Sequence, residues 1–315
     1  MPIPFSYELF PPRSASVAAR MPEIARTLGE THPDFISVTF GAGGSSRDAS
    51  LDVLQLIRDE TTARPLAHLT CVGSSMDEAS ELIGEFLDHG ILDFLALRGD
   101  PPAGCSEADD FLGDLRTGAE LAQLIEGVRQ QHLPRELGPI AGRWHVRTPQ
   151  LGITAVAAYP NGHPQSRSIE QDYDTLLAKE AAGATLAITQ LFFEVDDYVA
   201  FVEGARAHGV TIPIRPGIMA ITSLPRLERM SQLAGEEVPD RWRRSLAACR
   251  SDEARRELGI AHATGMCHDL IDYGEAGLHI YSHNRIDEPL ELLRRVGLVD
   301  RTETAPHARR VTSAA

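Results

Sequence analysis

The sequence predicts an α/β chain folded as a single (β/α)₈ barrel, and three observations predict it. Eight short apolar runs of strand length alternate with helix-length stretches over about 300 residues, with no internal repeat and no linker between them. Polar side chains unfit for a core recur at the C-terminal ends of those runs, the face on which barrels gather their chemistry. The first run ends on Pro11-Pro12, where the alternative, a doubly wound open sheet, would carry a glycine-rich phosphate fingerprint. Residues 1–300 are therefore expected to form the barrel, with extra helices before its last strand. The tail from Arg301, which has no apolar periodicity, is expected to be mobile.

The elements follow in order. Phe5 to Phe10 begins a strand that the two prolines stop, because proline cannot donate to a ladder. Glu8 lies inside it, either as an edge residue or as an inward-pointing functional group. Residues 15–29 carry Val17, Met21, Ile24, Ala25 and Leu28 at helical spacing. Asp34 to Phe40 is the second strand, followed by the loop Gly41 to Ser46, which lacks the spacings of a phosphate cradle. A helix with Leu51, Leu54 and Ile57 on one face leads to the third strand, Leu66 to Val72, which contains His68. Ser74-Ser75 with Glu78 offers a capping box for the next helix.

Leu92 to Arg98 is the fourth strand, an apolar run that Gly99-Asp100-Pro101-Pro102 stops, placing the Asp100 carboxylate at the strand's mouth. A loop over 103–114 precedes a helix from Leu115 to Gln131 with Leu121, Leu124, Ile125 and Val128 inward. Residues 132–150 hold too many glycines and prolines for a regular element and read as an insertion. Gly152 to Tyr159 is the fifth strand, and the helix after it, about 168–181, carries Lys179. Leu186 to Phe193 is the sixth strand, with Gln190 as the one amide in an apolar run. A helix over 195–207 precedes the seventh, Ile212 to Met219, whose two prolines demand irregularity. Residues 225–274 hold more helix than one crossover needs, with Leu258, Ala261, Thr264, Cys267, His268 and Ile271 along one face. Gly277 to His283 is the eighth strand and 286–296 the last helix.

Composition narrows the function. A net charge of −15, from 30 basic and 45 acidic residues, argues against nucleic acid or an anionic membrane as partner. No apolar run approaches a membrane span, the N-terminus lacks a basic-then-apolar signal, and the four cysteines show no zinc spacing, so reduced thiols and a cytoplasmic setting are expected. Lys179 is the only lysine among the 30 basic residues. That is either an arginine-biased composition or a position that needs a compact ammonium.

The strand ends supply Glu8, Thr39, His68, Asp100, Tyr159, Gln190, and His283 or Arg285, which a barrel brings to one opening. Two carboxylates there suggest a division of labour, one neutral and donating a proton, the other ionised and stabilising positive charge. The scattered histidines form no metal cluster. A Schiff-base aldolase on the same barrel would need a lysine at a strand end, and Lys179 sits in a helix. A non-catalytic ligand-binding barrel would not need both carboxylates.

These residues also match a known pattern. Ser-Tyr-Glu-Leu-Phe-Pro-Pro-Arg (6–13), Ser-Val-Thr-Phe-Gly-Ala (37–42), Ala-His-Leu-Thr-Cys (67–71), Ala-Leu-Arg-Gly-Asp-Pro-Pro (96–102), Ala-Ala-Tyr-Pro-Asn-Gly-His-Pro (157–164), Ala-Ile-Thr-Gln-Leu-Phe-Phe (187–193) and Tyr-Ser-His-Asn-Arg (281–285) resemble, in order, the methylenetetrahydrofolate reductase family. The resemblance implies a (β/α)₈ flavoprotein that uses NADH or NADPH and bound FAD to reduce 5,10-methylenetetrahydrofolate to 5-methyltetrahydrofolate. It implies Glu8 as general acid, Asp100 as stabiliser of the 5-iminium cation, Gln190 as a contact to folate and nicotinamide in turn, and Arg285 as partner of the folate's glutamate tail. FAD contacts fall on Thr39, His68, Leu97, Arg98, Gly99, Asp100, Tyr159, His163, Asp172 and Lys179. The chain departs from the pattern at Thr117-Gly118, where a Tyr-Ala pair is common, at Thr175 and Ala178, which replace an Asn and an Arg, and at Leu224, which replaces an aromatic beside substrate. Arg143, Trp144, His145 and Arg147 of the insertion are candidates either to compensate or to block the site. Some relatives work without flavin, so direct hydride transfer from the nicotinamide is the variant reading. A homo-oligomer is compatible with the sequence, which fixes neither subunit count nor nucleotide preference.

Overall fold

The computed structural model describes residues 3–40, 47–101, 104–105, 109–132, 136–140, 143–147, 152–234, 238–274 and 277–300. The loop 41–46 and the tail 301–315, both singled out above, lie outside them. In chain order the elements are β1 (Phe5–Leu9), α1 (Ala15–Ala18), α2 (Met21–Gly29), β2 (Phe35–Val38), α3 (Arg47–Glu60), β3 (Arg64–Thr70), α4 (Met76–Asp88), β4 (Asp93–Leu97), α5 (Gly118–His132), β5 (Glu136–Ile140) and β6 (Arg143–Arg147). They continue with β7 (Thr154–Ala158), α6 (Ile169–Ala181), β8 (Leu186–Thr189), α7 (Val195–Ala207), β9 (Ile214–Arg215), β10 (Gly217–Ile218), α8 (Leu224–Ala234), α9 (Asp240–Ala248), α10 (Asp252–Tyr273), β11 (Leu278–Tyr281) and α11 (Asp287–Val296).

Nine parallel segments run round the sheet in the order β10-β11-β1-β2-β3-β4-β7-β8-β9. The expected seventh strand accounts for two of them. β9 pairs with β8 and β10 with β11, so one interrupted strand closes the barrel. The break is Pro216, which has no N–H to donate; its carbonyl still accepts from His279 N at 2.9 Å. Gly217 follows because a Cβ there would lie 2.5 Å from the Thr189 carbonyl oxygen and from the Tyr281 ring.

Alternation along the strands sorts the core into two layers. Tyr7, Leu9, Ile36, Val38, Ala67, Leu69, Phe94 and Val156 pack outward in the large cluster shared with the helices. Phe35, Leu66, Leu95, Ala155, Leu186 and Ile188 fill the barrel interior. A third cluster of Leu191, Phe193, Met219, Ile221, Leu227, Trp242 and Leu246 lies under α8 and α9. Phe192 and Phe193, expected in the sixth strand, fall beyond β8, and Phe193 joins that third cluster.

Other expectations need correction. Residues 15–29 form two helices, with a break at Ala19-Arg20 ahead of Pro22 in the first turn of α2. The 132–150 insertion holds an antiparallel hairpin, Glu136 pairing with Arg147 through to Ile140 with Arg143; its side chains lie outside the described residues. On α10 the buried face is Gly259, Ile260, Ala263, Met266, Cys267 and Leu270, so of the predicted stripe only Cys267 is buried. Apolar residues occur all round that helix, and a stripe drawn from spacing alone has no unique phase there. The Ser75–Glu78 capping box on α4 is present as expected.

Candidate functional site at the barrel mouth

The same alternation that sends Tyr7 and Leu9 outward turns Glu8 into the barrel, where it is 8% exposed. The residues around it are held by the segment after β11. Ser282 Oγ donates to the Glu8 carbonyl at 2.6 Å, and Asn284 brackets Phe10, accepting from its N–H and donating to its carbonyl at 2.8 Å each. His283 and Asn284 both adopt positive φ, 51° and 58°, to place that bracket. His283 stacks on Phe10 with ring centroids 5.1 Å apart.

Across the interior, His68 Nε2 lies 3.7 Å from Glu8 Oε2. β1 and β3 are alternate strands, which in a barrel contribute to the same layer of side chains. Burial pushes the Glu8 carboxyl up to about 8 and the His68 imidazole down to about 3. Near neutral pH the two groups therefore meet uncharged, and the 3.7 Å approach is a contact between neutral groups rather than an ion pair.

The pair sets a pH dependence. Glu8 is protonated more readily in the fold than at its ordinary value of 4.5, so its contribution is full below that pH and lost as pH rises through about 8. His68 resists protonation relative to its ordinary 6.5, so its contribution is full above that pH and lost as pH falls toward about 3. Between 4.5 and 6.5 the two slopes offset each other; above that range only the Glu8 loss remains. The stability difference between Glu8→Gln and the unmodified chain, followed by denaturant midpoint, is expected to shift in favour of the variant as pH is raised through about 8. A difference independent of pH would show that Glu8 is not buried as a neutral acid.

Asp100 stands exposed just beyond β4. Burial raises the Tyr159 phenol to about 12, with the Asp100 charge as the next cause and Arg98 opposing it. Tyr281, inward-facing on β11, is raised by burial and then by Glu8 and Tyr159. Asp100, Tyr159, Tyr281 and Glu8 thus form one electrostatic series across the mouth. Gln190 follows β8, with its N–H on the Ala158 carbonyl and its side-chain oxygen accepting from Leu191 N, both at 2.8 Å.

The candidate cofactor residues divide into two groups. Thr39 Oγ1 and His68 Nε2 are buried without a hydrogen-bond partner among the described residues, which is uncommon for polar atoms in a finished core. Leu97, Arg98 and Gly99 line the exit from β4. Gly99 takes φ +87°, a conformation open to glycine, and Arg98 lies over the Phe111 ring at 5.7 Å. On the other side, Tyr159 meets His163 edge to face at 4.7 Å, and Asp172 accepts from His163 N at 3.2 Å and Ser166 Oγ at 2.8 Å. Lys179 Nζ donates to the Ala157 carbonyl at 2.7 Å; burial lowers its ammonium to about 8 while Asp172 acts to raise it. Thr175 and Ala178 are exposed on the same helix.

Arg285 is exposed and paired with Glu288 at 2.5 Å, and Leu224 opens α8 against the third apolar cluster. Among the described residues no hydrogen bond or ion pair joins either to Glu8. Tyr281, Ser282 and Arg226 were not among the residues expected here. Strict alternation from His279 along β11 points to Tyr281; nothing in the spacing points to Arg226. No group of three or more metal-ligating side chains occurs among the described residues, and no described helix is long and apolar enough to cross a membrane.

The methylenetetrahydrofolate reductase family model matches residues 2–297. The chain is 30% identical over 309 residues to methylenetetrahydrofolate reductase (NADH) 1 of Arabidopsis thaliana, covering 95% of this chain and 49% of that protein. It is 28% identical over 295 residues to 5,10-methylenetetrahydrofolate reductase of Escherichia coli, covering 93% and 90%. The chain thus spans about half the length of the plant relatives and nearly all of the bacterial ones. A solved structure described as an uncharacterized protein from Clostridium thermocellum that binds two copies of 5-methyl-5,6,7,8-tetrahydrofolic acid superimposes with a TM-score of 0.61 at 13% identity, covering 94% of this chain and 95% of that one. That likeness is one of fold, whereas the match along residues 2–297 is one of sequence, and by it the chain belongs to the methylenetetrahydrofolate reductase family.

Proposed function

We propose that this chain reduces 5,10-methylenetetrahydrofolate to 5-methyltetrahydrofolate with hydride from a nicotinamide nucleotide, Glu8 supplying the proton and Asp100 stabilising the cation. The observation that carries the reading is a carboxyl buried in the barrel and still protonated near neutral pH, because burial has pushed it up to about 8. An acid poised there can protonate the leaving nitrogen of the substrate's five-membered ring as its carbon–nitrogen bond breaks. The bonding pair stays on that nitrogen, the one-carbon unit becomes an iminium cation, and one hydride completes the methyl group. Water then reprotonates Glu8. At an effective dielectric near 20, the Asp100 carboxylate about 5 Å from that cation contributes roughly 3 kcal/mol, or about two orders of magnitude in rate. Gln190, at the end of β8, would hold folate and nicotinamide in turn. The plant relatives are named for NADH, which favours NADH as donor.

FAD fits the residues present. Thr39 Oγ1 and His68 Nε2 are buried polar atoms still lacking partners, and Lys179 has two ammonium hydrogens beyond the one spent on Ala157. Leu97, Arg98, Gly99, Asp100, Tyr159, His163 and Asp172 would complete its surroundings. When bound, FAD supplies storage of the hydride between nicotinamide and folate. Direct transfer without flavin is the second reading, favoured by exposed Thr175 and Ala178, which offer a phosphate neither charge nor fork. The visible absorbance spectrum of the purified protein separates the two. Flavin bands that NADH bleaches are expected, and colourless protein that still reduces the folate would establish direct transfer.

A further inference from the structure

The strand that carries Glu8 and the strand that leads to Gln190 are joined by consecutive residues of a third. At the end of β11, Ser282 Oγ donates to the Glu8 carbonyl of β1 at 2.6 Å, and Tyr281 Oη donates to the Thr189 carbonyl of β8 at 2.7 Å. Thr189 immediately precedes Gln190. The first contact joins sheet neighbours, whereas the second crosses the interrupted strand β9 and β10, which lies between β8 and β11. Two features of the interruption let it cross. The ladder of β8 with β9 ends at Ile188 and Arg215, and beyond Pro216 the Gly217 N–H turns to Thr189 Oγ1 at 2.9 Å, so the phenol takes the carbonyl that a continuous strand would have met. Gly217 also keeps the path open, since a Cβ there would lie 2.8 Å from Tyr281 Oη. Burial, then the Glu8 and Tyr159 charges, raise the phenol well above its ordinary value, so it stays a donor. Gln190 is held in turn by its neighbour, its side-chain oxygen accepting from Leu191 N at 2.8 Å.

We propose that Tyr281 is a positioning residue that sets the place of Gln190 relative to Glu8, by clamping the end of β8 to the end of β1 through β11. The inference rests on the roles given to Glu8 and Gln190 above. Both would act on one bound folate, so an error in their separation is an error in the geometry of reaction, and a misplacement of about 1 Å can cost about two orders of magnitude in rate. On the short way round the barrel from β8 to β1 the ladder is broken at Pro216, and there the Tyr281 hydroxyl and the Gly217 N–H carry the connection. With its one hydrogen committed to Thr189, Tyr281 acts through Gln190 and not on the reacting atoms.

The test is Tyr281→Phe, which keeps the ring and removes the tie. Hydrogen exchange on the full chain reads the clamp without flavin or turnover. Exchange at the Leu191 N–H, which reports the hold on Gln190, is expected to quicken about tenfold, the equivalent of one lost hydrogen bond. The amides of α3, which follows β2 on the opposite side of the barrel, should keep their rate. In steady state kcat/KM for methylenetetrahydrofolate should fall about ten- to a hundredfold in Tyr281→Phe. The same substitution should bring no further loss when Gln190→Ala is already present, because there is then no amide to misplace. Unchanged exchange at Leu191 would overturn the proposal, and so would a quickening shared equally by α3, which would leave Tyr281 a structural role only. Losses that simply multiply in the double variant would overturn it as well. If exchange at Leu191 responds alone but the unmodified chain reduces no folate, the clamp stands and the reaction assigned above fails.

Discussion

Glu8→Gln is expected to lower the rate of methylenetetrahydrofolate reduction by about two to four orders of magnitude, the range over which a positioned general acid contributes. Glutamine keeps the size of the side chain and its place between Ser6 and the mouth but has no proton to give at the pH where the buried carboxyl, raised to about 8, still holds one. The substitution should leave NADH oxidation by menadione nearly intact, because a quinone acceptor takes up hydride without a carbon–nitrogen bond having to break. Parallel assays of the two reactions decide the matter. Loss of both would reduce Glu8 to a structural role, and folate reduction within tenfold of the unmodified chain would move the proton donor elsewhere. The same variant relieves the cost of ionising a buried carboxyl, so it should lose folate reduction while gaining stability relative to the unmodified chain as pH rises through about 8.

How much of this the sequence disclosed depends on whether a residue's neighbours are local. Glu8, His68 and Tyr159 were legible as strand-end polar groups because strand alternation is local and a barrel turns alternate residues inward. The Ser75 cap was legible for the same reason. The closure through Pro216 was half legible: two prolines forced an irregularity, but its resolution into β9 and β10 depends on partners in β8 and β11 far along the chain. That one of the two mouth carboxylates stays neutral was legible from their pairing; the cause at Glu8, burial and not a neighbour in sequence, was not. Nor was the phase of α10, where apolar residues surround the axis.

The largest effect on stability is expected at the opposite end of the barrel. Arg129, in the last turn of α5, follows the stripe Leu121, Leu124, Ile125 and Val128 and would be assigned to solvent, yet it is fully buried. Its guanidinium donates to Glu126 at 2.5 Å, Thr154 Oγ1 at 3.0 Å, the Leu92 carbonyl at 2.8 Å and the Ile153 carbonyl at 3.3 Å, and it lies over the Phe94 ring at 5.5 Å. Beside it, buried Asp93 accepts from Ile153 N at 2.7 Å and from Arg64 at 2.5 Å. One side chain therefore ties α5 to the starts of β4 and β7, across the point where the 132–150 hairpin leaves the barrel. Arg129→Met fills much of the same volume but takes the cation from Glu126 and the side-chain donor from the Leu92 carbonyl, while Thr154 Oγ1 still donates to Glu126 at 2.6 Å and Phe94 N to the Ile153 carbonyl at 2.9 Å; removing one partner of a buried charge network costs about 3–5 kcal/mol. Denaturant unfolding should show that loss. The double variant Arg129→Met with Glu126→Gln should recover part of it, since the orphaned charge is gone. A single-variant loss below about 1 kcal/mol, the value of an ordinary exposed pair, would mean the network is inert. Well below the melting transition the variant should keep its kcat, because this face of a barrel carries stability while the chemistry sits at the other; a kcat that falls with the stability would couple the two ends of the barrel.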